Sequence, residues 1–233
     1  MTADRFLDTW TSLVHLAERT RRISVMPNLA DLALRAPAMV AKAAASLDVL
    51  TGGRVEIAVG AGGFADGIAA MGGPVRTPGE SLQANIEGIR IVWAALEPAG
   101  RSRIEGRFNW TAGHEPGPRS VHHVSIWVGA RRPRLFRAIG QLADGWVSPL
   151  STYLPPEDLP AARAAIDHGA AEPVGTRPPF GASTTWSVGA IGTNGDGFGG
   201  SAEDWAQALA EWHRRLRLDC YIFWPTLGPG GSR

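Results

Sequence analysis

The sequence predicts an α/β fold built on a parallel sheet, and three observations carry that expectation. Short apolar runs alternate with amphipathic segments of helical length along the chain. Each apolar run stops at Gly, Pro or Asn, as strands do where they open into loops. The 233 residues are 44% hydrophobic and 19% charged, with 29 Gly and 17 Pro, which suits a packed core joined by short turns rather than disorder.

The elements follow in order. Asp8 caps a first helix with Leu13, Leu16 and Ala17 at helical spacing, ending near Thr20. Ile23-Ser24-Val25-Met26 alternates as a buried strand and stops at Pro27-Asn28. Pro37 suits the first turn of a second helix, whose apolar face is Val40, Ala43, Ala44, Leu47 and Leu50 and whose stop is Gly52-Gly53. Arg54 to Gly60 is the next strand, with Val55, Ile57 and Val59 in alternation, and it runs into Gly60-Ala61-Gly62-Gly63. Thr77-Pro78-Gly79-Glu80 joins a capping box to an early helical proline, and Leu82, Ile86, Ile89, Trp93 and Leu96 form the apolar stripe behind it.

Residues 97–120, rich in Gly, Arg and Pro, read as an excursion from the core. Val124 to Val128 forms a strand ending in Gly129-Ala130, Pro133 to Leu142 a helix, and Asp144-Gly145-Trp146-Val147 a further strand. Pro156 to Ala171 is helical and Ala182 to Ile191 is a strand. Ser201-Ala202-Glu203-Asp204 caps a helix bearing Trp205, Leu209, Trp212 and Leu216, and Tyr221 to Trp224 is the sixth strand. A single domain over residues 1–233 accommodates this series; the Gly-dominated tract Asn194 to Gly200 reads as a loop within it.

Charge and cysteine content narrow the function. Basic and acidic residues number 23 and 22, which removes the electrostatic argument for a nucleic-acid or acidic-membrane partner. Lys42 is the single lysine, so arginine supplies nearly all positive charge. One cysteine, Cys220, excludes an intrachain disulfide and a cysteine-based metal site, and a cytoplasmic location follows by default. No apolar run is long enough to span a membrane, and Met1 to Leu7 lacks the pattern of a signal peptide.

Ligands of parallel α/β folds bind at the C-terminal ends of strands, where loops and helix N-termini converge. Gly60, Ala61 and Gly62 occupy such an end, and their amides are able to approach a phosphate; a tight turn using glycine for positive φ explains them equally well. Gly129, Ala130 and Arg131, with Arg132, combine amides, a helix N-terminus and guanidinium groups as an anion site, against the alternative of solvated arginines. Asn28 closes its strand as either a cofactor contact or a turn residue. Trp127, Trp146, Trp186 and Trp224 suit either the wall of a flat ligand or core packing, and His114 is a loop histidine within reach of a site or simply solvated. No histidine pair has metal-ligand spacing and no Gly-x-Ser-x-Gly elbow exists, so catalytic residues stay unassigned; an enzyme with this sequence needs a carrier of chemistry other than a protein nucleophile, and a redox cofactor fits that need.

Taken together, several motifs resemble one family. They are Thr20-Arg21-Arg22-Ile23 with Arg35-Ala36-Pro37, Leu47-Asp48-Val49-Leu50-Thr51-Gly52-Gly53-Arg54-Val55 leading to Gly60-Ala61-Gly62, and Ala70-Met71-Gly72-Gly73-Pro74. Ile126-Trp127-Val128-Gly129-Ala130, Ala143-Asp144-Gly145-Trp146 and Phe223-Trp224-Pro225 follow in the same order. The pattern, from about Asp8 to Pro225, resembles the bacterial-luciferase-like monooxygenase superfamily, flavin- or deazaflavin-dependent oxidoreductases on a TIM-type (β/α) barrel.

The resemblance implies coenzyme F-420 or FMN, with its phosphate near Gly60-Ala61-Gly62 and the Gly129-Ala130 turn and with Asn28 facing the ring, acting on a small-molecule substrate by hydride transfer or oxygen activation. It also implies an N-terminally shortened barrel, because full members carry a strand, a helix and a strand before the segment at Asp8-Thr9-Trp10; the exposed sheet edge then favours a homodimer. A shortened member that binds cofactor or a partner without turnover is the alternative. Residues 170–180 depart from the family linker, and Arg217 stands where a helix-ending glycine is common.

Overall fold

The computed structural model describes residues 7–97, 102–115, 117–150, 154–172, 186–192, 201–218 and 220–224. Two compact units, Met1–Trp127 and Val128–Arg233, divide the chain.

The first unit opens with α1 (Thr9–Arg19), capped as expected: the Asp8 carboxylate accepts the Thr11 backbone N–H at 2.9 Å. Its inner face buries Trp10, Leu13 and Ala17. The Arg54 guanidinium donates to the carbonyls of Ala17, Thr20 and Ile23 at 3.0, 3.2 and 2.7 Å, satisfying acceptors that a helix C-terminus leaves open.

The strand expected over residues 23–26 is reduced to one parallel bridge between Val25 and Val55. Pro27 has no N–H to donate, and the ladder resumes only at β1 (Ala30–Asp31), which pairs in parallel with β2 (Ile57–Gly60). The peptide between Asn28 and Leu29 is cis. Between these strands runs α2 (Pro37–Thr51), with proline in its first turn and Gly52 in the left-handed region at φ +67° to end it.

A short helix absent from the sequence expectations, α3 (Ala65–Ala70), follows β2. Six residues are too few for periodicity to reveal a helix; this one is pinned by buried Ile68, whose side chain lies where Cβ atoms on Gly62 and Gly73 would stand. Next, α4 (Pro78–Leu96) begins with the full capping box between Thr77 and Glu80. The excursion contains a small antiparallel pair, β3 (Ser102–Ile104) and β4 (Thr111–His114), also absent from the expectations. Its connecting turn is held by buried Glu87 of α4, whose carboxylate accepts the N–H groups of Arg107, Phe108 and Asn109 at 3.0, 2.8 and 2.9 Å. Strand order in this unit is β1-β2-β5, where β5 is Ile126–Gly129 and crosses the unit boundary.

The second unit has the order β5-β6-β7-β8, with β6 (Gly145–Leu150), β7 (Trp186–Gly192) and β8 (Cys220–Trp224) pairing in parallel. Helix α5 (Pro133–Leu142) matches its expected bounds, and Pro156–Asp158 forms a 3-10 turn before α6 (Leu159–Ala170). Helices α5 and α6 meet at glycines. A Cβ on Gly140 would lie 2.0 Å from the Ile166 carbonyl oxygen, and one on Gly169 would lie 2.2 Å from that of Arg137, so only hydrogen fits at either position. The capping box of Ser201 and Asp204 starts α7 (Ala202–Leu216), which ends at Arg217 in the left-handed region, φ +54°.

The strand–helix alternation and parallel pairing expected from the sequence are present in both units. Residues 182–185 at the start of one expected strand, the tract at residues 194–200, Pro225 and most of the atypical linker at residues 170–180 lie outside the described residues. Among the described residues no helix is long and apolar enough to cross a membrane.

Candidate functional site

In the first unit the C-terminal ends of β1 and β2 lie side by side, with Asp31 in register with Gly60. Leu29 covers Gly60, its Cδ1 being 3.0 Å from where a Cβ would stand. Gly62 has φ +83°, and its missing Cβ would overlap Ile68 Cδ1 at 2.4 Å, so both conformation and space require glycine there. Asn28, exposed, directly precedes Leu29. Asn28 is thus the chain neighbour of the residue that covers Gly60.

Beside this turn is a narrow crevice bordered by Gly60, Ala61, Arg76, Ser81 and Asn85, too tight in this conformation to hold a water molecule. Asn85, on α4, is 2% exposed, and neither its carboxamide oxygen nor its nitrogen has a hydrogen-bond partner among the described residues. A buried amide in that state costs about 1–3 kcal/mol per polar group, so it marks a place where a polar partner is gained on binding. Sequence reading misses it, since an Asn in a helical stripe carries no signal of its own.

Asp31 sits at the same strand end and is only partly buried. Its Oδ1 accepts the Ala33 N–H at 2.8 Å, and its Oδ2 lies 3.2 Å from the position a Cβ on Gly62 would take. Burial raises its carboxyl above the usual 3.8, opposed by the Ala33 hydrogen bond and the positive charge of Arg76.

In the second unit, Gly129 is half-buried and Ala130 is committed to the sheet: its N–H donates to the Val147 carbonyl at 3.4 Å, and its own carbonyl accepts the Trp146 indole N–H at 3.1 Å. Exposed Arg131, Arg132 and Arg134 surround the start of α5, where Arg132 provides no side-chain cap. Trp146 is a core residue, 1% exposed and edge-on to Phe136 at 5.3 Å, and Trp127 is also buried. The side chains of Trp186 and Trp224 lie outside the described set.

A larger cavity, about 450 Å³, opens in the first unit where the chain enters β5, beside Trp93, Arg119, His122 and His123. His122 stands between two carboxylates, with Nδ1 2.7 Å from Asp48 and Nε2 3.7 Å from Glu56. Glu56 in turn accepts the Ser125 N–H at 2.7 Å, and burial raises its carboxyl against that bond and the His122 charge. His114, the histidine singled out from the sequence, lies on β4.

The residues at the first strand-end region fit the polar part of a phosphate-bearing cofactor in kind: a guanidinium, a hydroxyl and an unpartnered amide gather beside a glycine turn. Arg131, Arg132 and Arg134 offer the same chemistry in the second unit.

Comparison with known proteins bears on which cofactor chemistry is relevant. A model of the luciferase-like monooxygenase family matches residues 1–190. A phthiodiolone/phenolphthiodiolone dimycocerosates ketoreductase of Mycobacterium kansasii is 31% identical over 180 residues, covering 75% of this chain and 48% of its own. The fold is similar to that of an F-420-dependent secondary alcohol dehydrogenase in complex with an F-420–acetone adduct, with TM-score 0.70 and 18% identity over 82% of this chain and 56% of that one. It is also similar to a riboflavin lyase solved with modified FMN and riboflavin, with TM-score 0.67 and 17% identity over 89% of this chain and 49% of the other. The chain spans about half the length of the relatives it matches. With more than half of its residues matched by the family model, this chain belongs to the luciferase-like monooxygenase family.

Proposed function

We propose that this chain acts as an F-420- or FMN-dependent oxidoreductase on a small organic substrate, by hydride exchange at a ketone or secondary alcohol. The observation that carries the reading is the buried, unpartnered Asn85 amide beside Arg76 and Ser81 at the strand end that carries Gly60 and Ala61. Ketone chemistry is supported by the printed activities of the ketoreductase and the alcohol dehydrogenase above. When bound, either cofactor supplies a ring that accepts or donates a hydride.

In this reading Gly60, Ala61, Gly62, Arg76, Ser81 and Asn85 hold the cofactor's polar tail, and Asn28 faces the ring. Arg131 and the Gly129 backbone offer an anion contact in the second unit, whereas Ala130 is taken up by the sheet. Apolar side chains left exposed in the first unit, Leu29, Leu34, Phe64 and Met71, supply the cover that excludes water from the reacting atoms. In this reading the protein works in the cytoplasm, and the chain pairs with a second copy of itself.

Titrating the purified chain into FMN and into F-420, and following quenching of their fluorescence, tests the reading. Saturable binding of one of them, followed by bleaching or recovery of the bound chromophore with a ketone or alcohol, is expected. Binding without turnover would instead identify a non-catalytic binder, and reaction of the reduced chromophore with oxygen would favour monooxygenation.

A further inference from the structure

We infer that Phe108, in the turn of the β3–β4 excursion, is a positioning residue of the cofactor site: its ring holds the Arg76 guanidinium at the strand-end crevice while leaving the N–H donors of that group for a phosphate. The inference rests on the function proposed above, and it gives the excursion a part in recognising the cofactor's anionic tail.

Two contacts bring the turn to the crevice. The Arg76 guanidinium carbon lies over the Phe108 ring, 5.3 Å from its centroid and within reach of a cation–π contact, and Arg76 borders the crevice. The Asn109 carboxamide donates to the Ala84 carbonyl at 2.8 Å, and Ala84 borders the crevice beside Asn85.

Helix α4 places the turn. Glu80, Ala84 and Glu87 recur at the spacing that puts residues on one helix face, and each engages the turn. Glu87 accepts its three N–H groups, Ala84 accepts the Asn109 side chain, and Glu80 pairs with the Arg107 guanidinium at 3.3 Å. Ser81 and Asn85, one residue further along in two of these steps, line the crevice. Gly106 lets the turn close, since a Cβ there would lie 2.2 Å from the Asn109 carbonyl oxygen and 2.7 Å from the Glu87 carboxyl carbon.

The use of a ring rather than a carboxylate decides what Arg76 is able to do. An ion pair would orient the guanidinium by spending its N–H donors, whereas a ring face orients the planar cation and consumes none of them. Arg76 makes no hydrogen bond or ion pair among the described residues. The carboxylates near enough to feel its charge are engaged elsewhere, Asp31 by the Ala33 N–H and Glu80 by Thr77 and Arg107. Arg107 also lies over the Phe108 ring, at 4.8 Å, but it is committed to Glu80. Arg76 is thus the guanidinium preset to give a bidentate pair to a phosphate.

The test compares chromophores with and without a phosphate. In fluorescence-quenching titrations, Phe108→Leu should weaken FMN and F-420 binding about 3- to 10-fold and leave riboflavin and the phosphate-free riboside of the deazaflavin within about 2-fold of wild type. Phe108→Tyr, which keeps the ring face, should bind all four as wild type does. In an Arg76→Ala background, Phe108→Leu should have no further effect. The Glu87 clamp uses backbone N–H groups and not the ring, so the leucine variant should keep the turn. The free protein supplies a second readout by NMR. The Arg76 Nε–H signal, assigned by its loss in Arg76→Ala, should be displaced by the ring current in wild type and in Phe108→Tyr, and should return toward the free-arginine position in Phe108→Leu.

Equal losses for chromophores with and without phosphate, additive losses in the double variant, or a tyrosine variant as weak as the leucine one would overturn the positioning role and leave the proposed function standing. So would undiminished FMN and F-420 affinity in Phe108→Leu. An Arg76 signal indifferent to Phe108→Leu overturns the role whether or not a chromophore binds. Wild-type protein that binds neither FMN nor F-420 overturns the proposed function, and the role of the ring with it.

Discussion

The Asp48 carboxylate lies 2.7 Å from the His122 imidazole Nδ1, and the Asp48 side chain is fully buried. The same carboxylate accepts the Val121 N–H at 2.8 Å and the His122 N–H at 3.3 Å, across 73 and 74 residues of sequence. One acid near the end of α2 therefore holds the segment that leads into β5. A buried charge stripped of its partners is costly, so the pair is expected to behave as a structural tie.

Replacing Asp48 with Ala should cost about 2–4 kcal/mol in urea unfolding, because the Val121 and His122 amides lose their acceptor and the imidazole its neighbour. His122→Ala should cost less, since the ring is one-third exposed. A double-mutant cycle should show coupling of about 1–3 kcal/mol; additive effects would mean that the 2.7 Å approach contributes nothing.

Glu87 governs acid stability in the opposite sense from Asp31. Burial pushes its carboxyl up, but the bonds from Gln83, Asn109, Phe108 and Arg107 outweigh burial and leave it below the usual 4.5. The folded value is thus depressed relative to the unfolded one. The stabilisation is present above pH 4.5 and is lost as pH falls through the folded value. Glu87→Gln should lower stability at pH 7, and its unfolding curve should converge on that of wild type under acid. A difference independent of pH would show that the carboxylate charge is not what secures the turn.

Arg217 ends α7 at φ +54° with its N–H on the His213 carbonyl at 2.9 Å, a left-handed cap built without glycine. Left-handed backbone costs an ordinary L-residue about 1 kcal/mol. Arg217→Gly should therefore raise the thermal midpoint, and an unchanged or lower one would locate the cost elsewhere.

Asn85→Leu should raise stability of the free protein by about 1 kcal/mol, as a near-isosteric apolar side chain removes two unpartnered polar atoms. If the recess serves a ligand, the same variant should lose most of the thermal shift that cofactor produces in wild type. A free protein destabilised by the change would mean that the amide already has a partner.

These residues also show which parts of the molecule are readable in sequence. The capping boxes at Thr77 and Ser201, the proline that starts α5 and the glycine that ends α2 act within a turn of their own position, and the structure has each where the local pattern puts it. The strand near Val25 is shorter than its alternation predicts, because alternation does not reveal what Pro27 does to the ladder. The β3–β4 pair depends on Glu87, about 20 residues away, and the tie between Asp48 and His122 spans more than 70. Contacts over such separations leave no local pattern. For the same reason the glycine turn at Gly60-Ala61-Gly62 is legible as a candidate site, whereas Asn85 and Asp31, which face it from other elements, are not.

The central claim is a redox cofactor held at the glycine turn, and a fluorescence-quenching titration of FMN and F-420 tests it when repeated in Arg76→Ala and Asn85→Leu. Saturable binding by wild type, weakened at least about 10-fold in both variants, is the predicted result. Equal affinity in all three proteins would contradict the assignment of the site, and no binding of either chromophore by wild type would contradict the claim altogether.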